Sequence, residues 1–356
     1  MSSPREEPAP VQVPRWLRVL GAYGWRFVAA AAAFYVLLYV AHELRLVVLP
    51  FVFGVVLATL LEPIARFLHE HKLPRALSAV IAMLVGLGVL GGLLTLFGFG
   101  VAGELPALGE ALGEGYREVI GWLAHSPLNV TPSEVSSWVD EQLENLQSSA
   151  GSMAKEVASS VARVVTALGM LLVTIVFAVF FAWDGDRLFD RLVRVFPERQ
   201  RVHVRAMGDR IWQTVGNYMR GMFLIATADA VLFGIGLWII GVPLVLPLML
   251  LMFLGAFVPY AGPVVATTTA ILVALANGGF VDGAFTLLAG VVVQATEGNL
   301  LHPVLMGRAV ALHPVSVLIA VTAGGALAGV AGVFLAIPVM AAIKQVLVYA
   351  REQGAV

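Results

Sequence analysis

The chain has 356 residues, 59% hydrophobic and 13% charged, with a mean hydropathy of +0.89 and a formal net charge of −1. Soluble domains carry about twice that share of charge, so the composition points to a polytopic membrane protein. The absence of cysteine excludes disulfides, iron–sulfur clusters and thiolate metal sites, and the near-neutral balance leaves no electrostatic footprint for nucleic acid.

Residues 1–26 are polar, proline-bearing and basic toward Arg26. They read as a cytoplasmic N-terminal segment followed by a retained span, because the first apolar run begins only after Arg26 and leads into a second. Residues 27–103 hold the first membrane helices: Phe27–Ala41, Leu46–Leu61 and Ala76–Gly103, joined by His42–Arg45 and Glu62–Arg75. The first two runs are short for a bilayer core that takes about 20 residues, so flanking residues extend them or they form a tilted hairpin. Residues 104–163 change character. They are acid-rich, with Arg117, Lys155 and Arg163 as their only Lys or Arg. Leu105–Leu123 reads as an amphipathic helix, and Thr131-Pro132-Ser133-Glu134 has the form of a capping box opening another. This is a small extracytoplasmic helical segment.

Residues 164–183 are a membrane helix, and 184–221 hold eight arginines in cytoplasmic amphipathic helices, with Asp184 or Asp186 as a cap and Pro197 as a stop. Lys and Arg counts in the shorter loops put 5–26, 62–75 and 184–220 on the cytoplasmic side. Residues 222–348 form the membrane transport core and 349–356 a cytoplasmic tail. Within the core the apolar runs are interrupted, at Pro259–Pro263 in Leu248–Ala276 and at Gly324–Gly332 in Val315–Val348. The fold class is therefore all-α, with about eight membrane segments and broken or re-entrant helices. Two readings of the core fit equally. Either both interrupted segments cross once, or both are re-entrant hairpins entering from opposite faces.

Irregular backbone at membrane depth is tolerated only where protein or a wet cavity covers it, and broken helices are how many transporters build a solute site. The candidate pathway residues follow from that. Asp229 is a carboxylate in the otherwise apolar run Met222–Gly241. A charge there costs about 2.5–3.5 kcal/mol, which a partner, a cavity or a titration must justify. Pro259, Tyr260, Gly262 and Pro263 form one break, with Thr267 just beyond it. Gln294, Glu297 and Asn299 form a polar group, in which Glu297 can pair with Arg308 or with a histidine of the His302-Pro303 and His313-Pro314 pairs. Gly324 and Gly325 open the second break. The histidines either titrate or cap helix ends. No phosphate loop, zinc-binding helix motif, nucleophile elbow or dinucleotide fingerprint is present, so neither an enzyme nor a nucleotide-driven pump is indicated, and no cofactor.

Several stretches carry a resemblance in their order and spacing: Asn217–Gly221, Gly241-Val242-Pro243, Val258–Pro263 (VPYAGP), Glu297–Gly307 (EGNLLHPVLMG), His313-Pro314, Gly324–Gly332 and Ala336-Ile337-Pro338. On these the chain resembles the autoinducer-2 exporter (AI-2E) family of PerM-like permeases, over nearly its whole length. The resemblance implies a multi-pass bacterial inner-membrane transporter with cytoplasmic termini and a homo-oligomeric assembly. Its partners would be the lipid bilayer and a small solute or ion. Members are linked to export of the quorum-sensing furanone and some to sodium/proton antiport. The expectation is a secondary transporter of a small polar solute coupled to proton or sodium. The alternative is a membrane-anchored assembly or signalling protein in which the breaks are packing devices.

Overall fold

The computed structural model describes residues 15–124, 166, 168–306 and 313–354. Among these there is no strand. The helices are α1 (Arg15–Glu43), α2 (Arg45–Glu70), α3 (Arg75–Ala124), α4 (Leu168–Arg194), α5 (Glu198–Ile240), α6 (Val245–Gly255), α7 (Ala261–Thr296), a π-helical segment (Glu297–Met306) and α8 (Pro314–Glu352). Two compact units are present, Met1–Val48 and Leu49–Val356. In the first, α1 exposes apolar side chains such as Trp25, Phe27 and Tyr35, as a lipid-facing helix does. The second contains everything below. The capping box at Thr131–Glu134 and Arg308 lie outside the described residues.

Several helices run further than the local sequence suggests. Helix α3 continues unbroken through Glu104 and Pro106, so Leu105–Leu123 is its continuation and not a separate helix. Packing supports the extension: at Gly115 a Cβ would strike the backbone of Leu272 in α7. Helix α4 passes through Asp184 and Asp186 without a cap, and the polar helix after Pro197 runs directly into the apolar span as one α5 of 43 residues. At 1.5 Å per residue α5 is about 64 Å long, roughly twice a bilayer core. Its charged first half therefore projects beyond the apolar half.

Five described helices are long and apolar enough to cross a membrane: α2, α4, α5, α7 with the π segment, and α8. Helices α7 and α8, each counted once, are folded-back pairs of arms. In α7, Gly279 has φ 73° and ψ −162°, which only glycine adopts readily. A Cβ added at Gly290 would press on Thr267, 23 positions back, although a straight helix would separate the two by about 35 Å. In α8 the break is at Ala328 and Gly329 (φ 59°). A Cβ at Gly324 would lie 3.4 Å from that of Ala336, about 18 Å away on a straight helix. A third hairpin joins α6 to the first arm of α7, where Gly255 and Gly262 bring their backbones together. Both interrupted segments thus double back instead of crossing once. Glycine and alanine line all three approaches because lipid is as apolar as the side chains. Association in a bilayer gains little from burial and much from close backbone contact.

Three clusters hold the second unit. One gathers Phe233 and Leu237 of α5 with Leu248, Met252, Ala266, Ala270 and Val293. Another gathers Met219, Met222 and Ala226 of α5 with Val56, Ala256 and Leu335. The third joins Leu61, Ala82, Met83 and Ala178 of α2, α3 and α4. The start of α5 is stitched to neighbouring helix ends by polar pairs. Arg205 meets Asp190 and Asp186 of α4, Arg210 meets Glu352 at 2.7 Å, and His203 Nδ1 lies 2.9 Å from the Tyr349 hydroxyl.

Candidate functional site

Helix α5 is the spine of the site. Its C-terminus closes on Gly241, a left-handed cap, and α6 then runs back along it. The tip of that first hairpin reaches the middle of α5, where Phe253 meets Phe223 with ring centroids 5.8 Å apart. The α8 hairpin comes from the other end. Its last turn is tied to His203 and Arg210 of α5, while its Leu335 joins Met222 and Ala226. The two tips meet through Phe257 and Phe334, centroids 5.1 Å apart. The two hairpins reach α5 from its opposite ends and meet on its stretch from Met219 to Ala226, one turn before Asp229.

Asp229 stands there between the two clusters, one turn from Ala226 and one from Phe233. It is 1% exposed, and its Oδ1 has no hydrogen-bond partner among the described residues. An orphaned buried carboxylate oxygen is costly and calls for an explanation. The second arm of α7 returns antiparallel to α5, with Gly236 beside Ala289, which brings the π segment alongside Asp229. Glu297 and His302 of that segment lie within electrostatic reach of it. Those two form a pair of their own, Nε2 to Oε1 at 3.3 Å, and Gln294 Nε2 donates to the other oxygen of Glu297 at 3.0 Å. The result is two carboxylates, one imidazole and one amide around a buried point on α5. Such a group can take up and release a proton as its surroundings change.

The remaining predicted residues fall in two places. Pro259, Tyr260, Gly262 and Pro263 make the tip of the first hairpin. Tyr260 sits at φ 64°, an uncommon conformation for a residue with a side chain, and its ring is exposed. Thr267 faces Gly290 across the arms of α7, and Gly324 and Gly325 face Gly332 and Val333 across the arms of α8. These three serve the folding-back of the chain. Asn299 bonds back to the carbonyl of Ala295 at 2.9 Å. The two histidines divide: His313 caps α8, its Nδ1 accepting from Val315 N–H with Pro314 next to it, whereas His302 pairs with Glu297. Pro303, expected at a helix edge, is instead carried inside the π segment, whose wider turn accommodates its ring and missing N–H.

The site list from sequence lacks His302, because a histidine before proline reads equally well as an end cap. It also lacks Thr286, whose buried Oγ1 has no partner. Its one signal in the sequence is a hydroxyl inside the apolar run Ala284–Val293.

The sequence profile described as AI-2E family transporter matches residues 27–352. The chain belongs to the AI-2E transporter family. Its similarity to a candidate transport protein of Mycobacterium tuberculosis (strain CDC 1551 / Oshkosh) is 35% identity over 328 residues, covering 91% of this chain and 89% of that one. The candidate transport protein YrrI of Bacillus subtilis is 28% identical over 311 residues, covering 86% and 87%. The candidate permease PerM of Escherichia coli K12 is 29% identical over 218 residues, covering 59% and 60%. The AI-2E profile spans α5, all three hairpins and the π segment, so the Asp229 site lies wholly within the family's region.

Proposed function

We propose that this AI-2E family member is a secondary transporter of the bacterial inner membrane. It moves a small polar solute, with autoinducer-2 as one candidate, and couples that movement to a proton or a sodium ion. The observation that carries the reading is the buried carboxylate of Asp229, whose Oδ1 has no partner among the described residues, one turn from where hairpins from opposite ends of α5 meet. Transporters place discontinuous helices at such a point, so that one structure can be reached alternately from either face. Asp229, with Glu297 and His302 beside it, would take the coupling ion, and the hairpin arms of α6–α7 and α8 would move against α5. The basic flank of α5 and the tail after Lys344 fit cytoplasmic termini. The family assignment supports transport and not catalysis.

Solute flux in vesicles containing the purified full chain tests the reading. An imposed pH or sodium gradient should drive accumulation or efflux of a tritiated polyol or furanone panel above protein-free vesicles. No flux of any panel member, together with no gradient dissipation, would overturn it and favour a scaffolding role.

A further inference from the structure

Away from Asp229, the C-terminal part of α2 and the middle of α5 border a cleft of about 310 Å³ lined by Glu62, Pro63, Arg66, Phe67, Glu70 and Arg220. That volume is at the small end of ligand sites, enough for a compact polar group. Most of the charge there is already committed. Glu62 pairs with Arg66 and accepts from Trp212 Nε1 at 2.9 Å. Arg220 is different. Its guanidinium donates to the Thr59 carbonyl and to Asn217 Oδ1, both at 2.8 Å, so its partners are neutral and it has no ion pair among the described residues. A guanidinium has five N–H donors, and those two bonds leave others for the cleft. Glu70 has no hydrogen-bond or ion-pair partner among the described residues. One cleft therefore contains a cation whose two partners are neutral and a carboxylate with no partner among the described residues, together with the exposed ring of Phe67.

The cleft also has a defined level. The apolar run of α2 ends at Leu61, one residue before Glu62, and that of α5 begins at Gly221, one residue after Arg220. The nearby Trp212 and Phe67 are the aromatic types enriched where hydrocarbon gives way to headgroups. Arginine suits phosphate oxygens because its planar fork can engage two of them, and a carboxylate suits a primary ammonium, which donates three N–H.

We propose that this cleft binds a phosphate–ammonium zwitterion, the headgroup of phosphatidylethanolamine, with the phosphate on Arg220 and the ammonium on Glu70. The site is separate from the Asp229 centre. Arg220 and Asp229 are nine positions apart, about 13 Å along α5, with Met222 and Ala226 of the cluster that includes Leu335 between them. Its occupation would hold the C-terminal part of α2 against the middle of α5 at the membrane surface.

Binding decides this without any transport assay. The full chain in detergent is titrated with dihexanoyl phosphatidylethanolamine, dihexanoyl phosphatidylcholine and free phosphoethanolamine, and bound species are counted by native mass spectrometry. Phosphatidylcholine has the same phosphate but no ammonium N–H. It should bind about tenfold more weakly, as loss of one charge-assisted hydrogen bond implies. Glu70→Gln should erase that difference, and Arg220→Gln should weaken both lipids by a similar factor. Should Arg220→Gln unfold, Glu70→Gln still decides, since Glu70 has no internal bond to lose. Free phosphoethanolamine binding as tightly as the lipid would support the zwitterion chemistry and assign its source to a soluble compound. Equal binding of the two lipids to wild type, unchanged by Glu70→Gln, would overturn the proposal.

Discussion

Replacing Asp229 by asparagine separates a working carboxylate from a structural one, because the two make opposite predictions for stability. A charged Asp at the centre of a spanning helix costs about 2.5–3.5 kcal/mol. A carboxylate held in a buried ion pair repays that cost, and losing one partner of such a pair costs about 3–5 kcal/mol. Asp229 is 1% exposed and its Oδ1 has no partner, so Asn removes a desolvated charge without breaking a bond at that atom. Asn also conserves volume, so the packing of Ala226 and Phe233 on either side is undisturbed. The variant should therefore be as stable as wild type or up to about 2 kcal/mol more stable, part of the charge cost being recovered. Transport should change in the other direction. Couplings between sites run about 1–3 kcal/mol, a factor of roughly 5–150, and a side chain that cannot titrate loses all of it. Gradient-driven accumulation in vesicles should fall to the level of passive exchange, while downhill exchange survives. Thermal unfolding in detergent and paired uphill and downhill flux measurements give both readouts. Asn destabilising the chain by about 3 kcal/mol or more would show a buried pair. Unaltered uphill transport would show that Asp229 carries no coupling.

The hairpin of α6 and α7 depends on close approach at Gly262: Gly262→Ala places a methyl against the Gly255 carbonyl and should destabilise by about 1–3 kcal/mol in thermal or denaturant unfolding. Gly88→Ala is the control, since a Cβ there meets nothing and should stabilise α3 by about 0.5–1 kcal/mol. Cysteines at Ala261 and Ala328, at the two breaks, should react with small hydrophilic thiol reagents and be protected by transported solute; inert thiols in folded protein would make the breaks packing devices alone. For orientation, a cysteine at Gln147 in the acid-rich segment should label from the periplasmic side of intact cells and one at Gln200 should not, and the reverse pattern would invert the topology.

Much of this protein was legible from local chemistry. Low charge and long continuous apolar runs point to helices in a membrane, because a helix satisfies its backbone within one segment whereas barrel strands alternate apolar and polar residues. Pro259–Pro263 and Gly324–Gly332 announced interruptions, since proline removes a donor and glycine frees the backbone. Asp229 stood out because its neighbours are apolar. The local signals misled where they were ambiguous about continuity. Asp184 is a good N-cap residue, yet α4 runs through it, and Glu104 begins a polar stretch, yet α3 continues because α7 offers Gly115 a surface.

The direction of the chain after each break was beyond the sequence. A proline–glycine break is compatible with a kinked crossing or with a return, and only contact between the arms distinguishes them: Gly255 with Gly262, Thr267 with Gly290, Gly324 with Gly332. Nor could the sequence say which polar residues share a site. Asp229 and Glu297 are 68 positions apart, and they meet because α7 folds back at Gly279 and lays its second arm antiparallel to α5. Residue type and hydropathy alone determined that this is a helical membrane protein with an out-of-place carboxylate. The packing of three hairpins on one long helix decided that the carboxylate is buried, without a partner at one oxygen, and faces the Glu297–His302 pair.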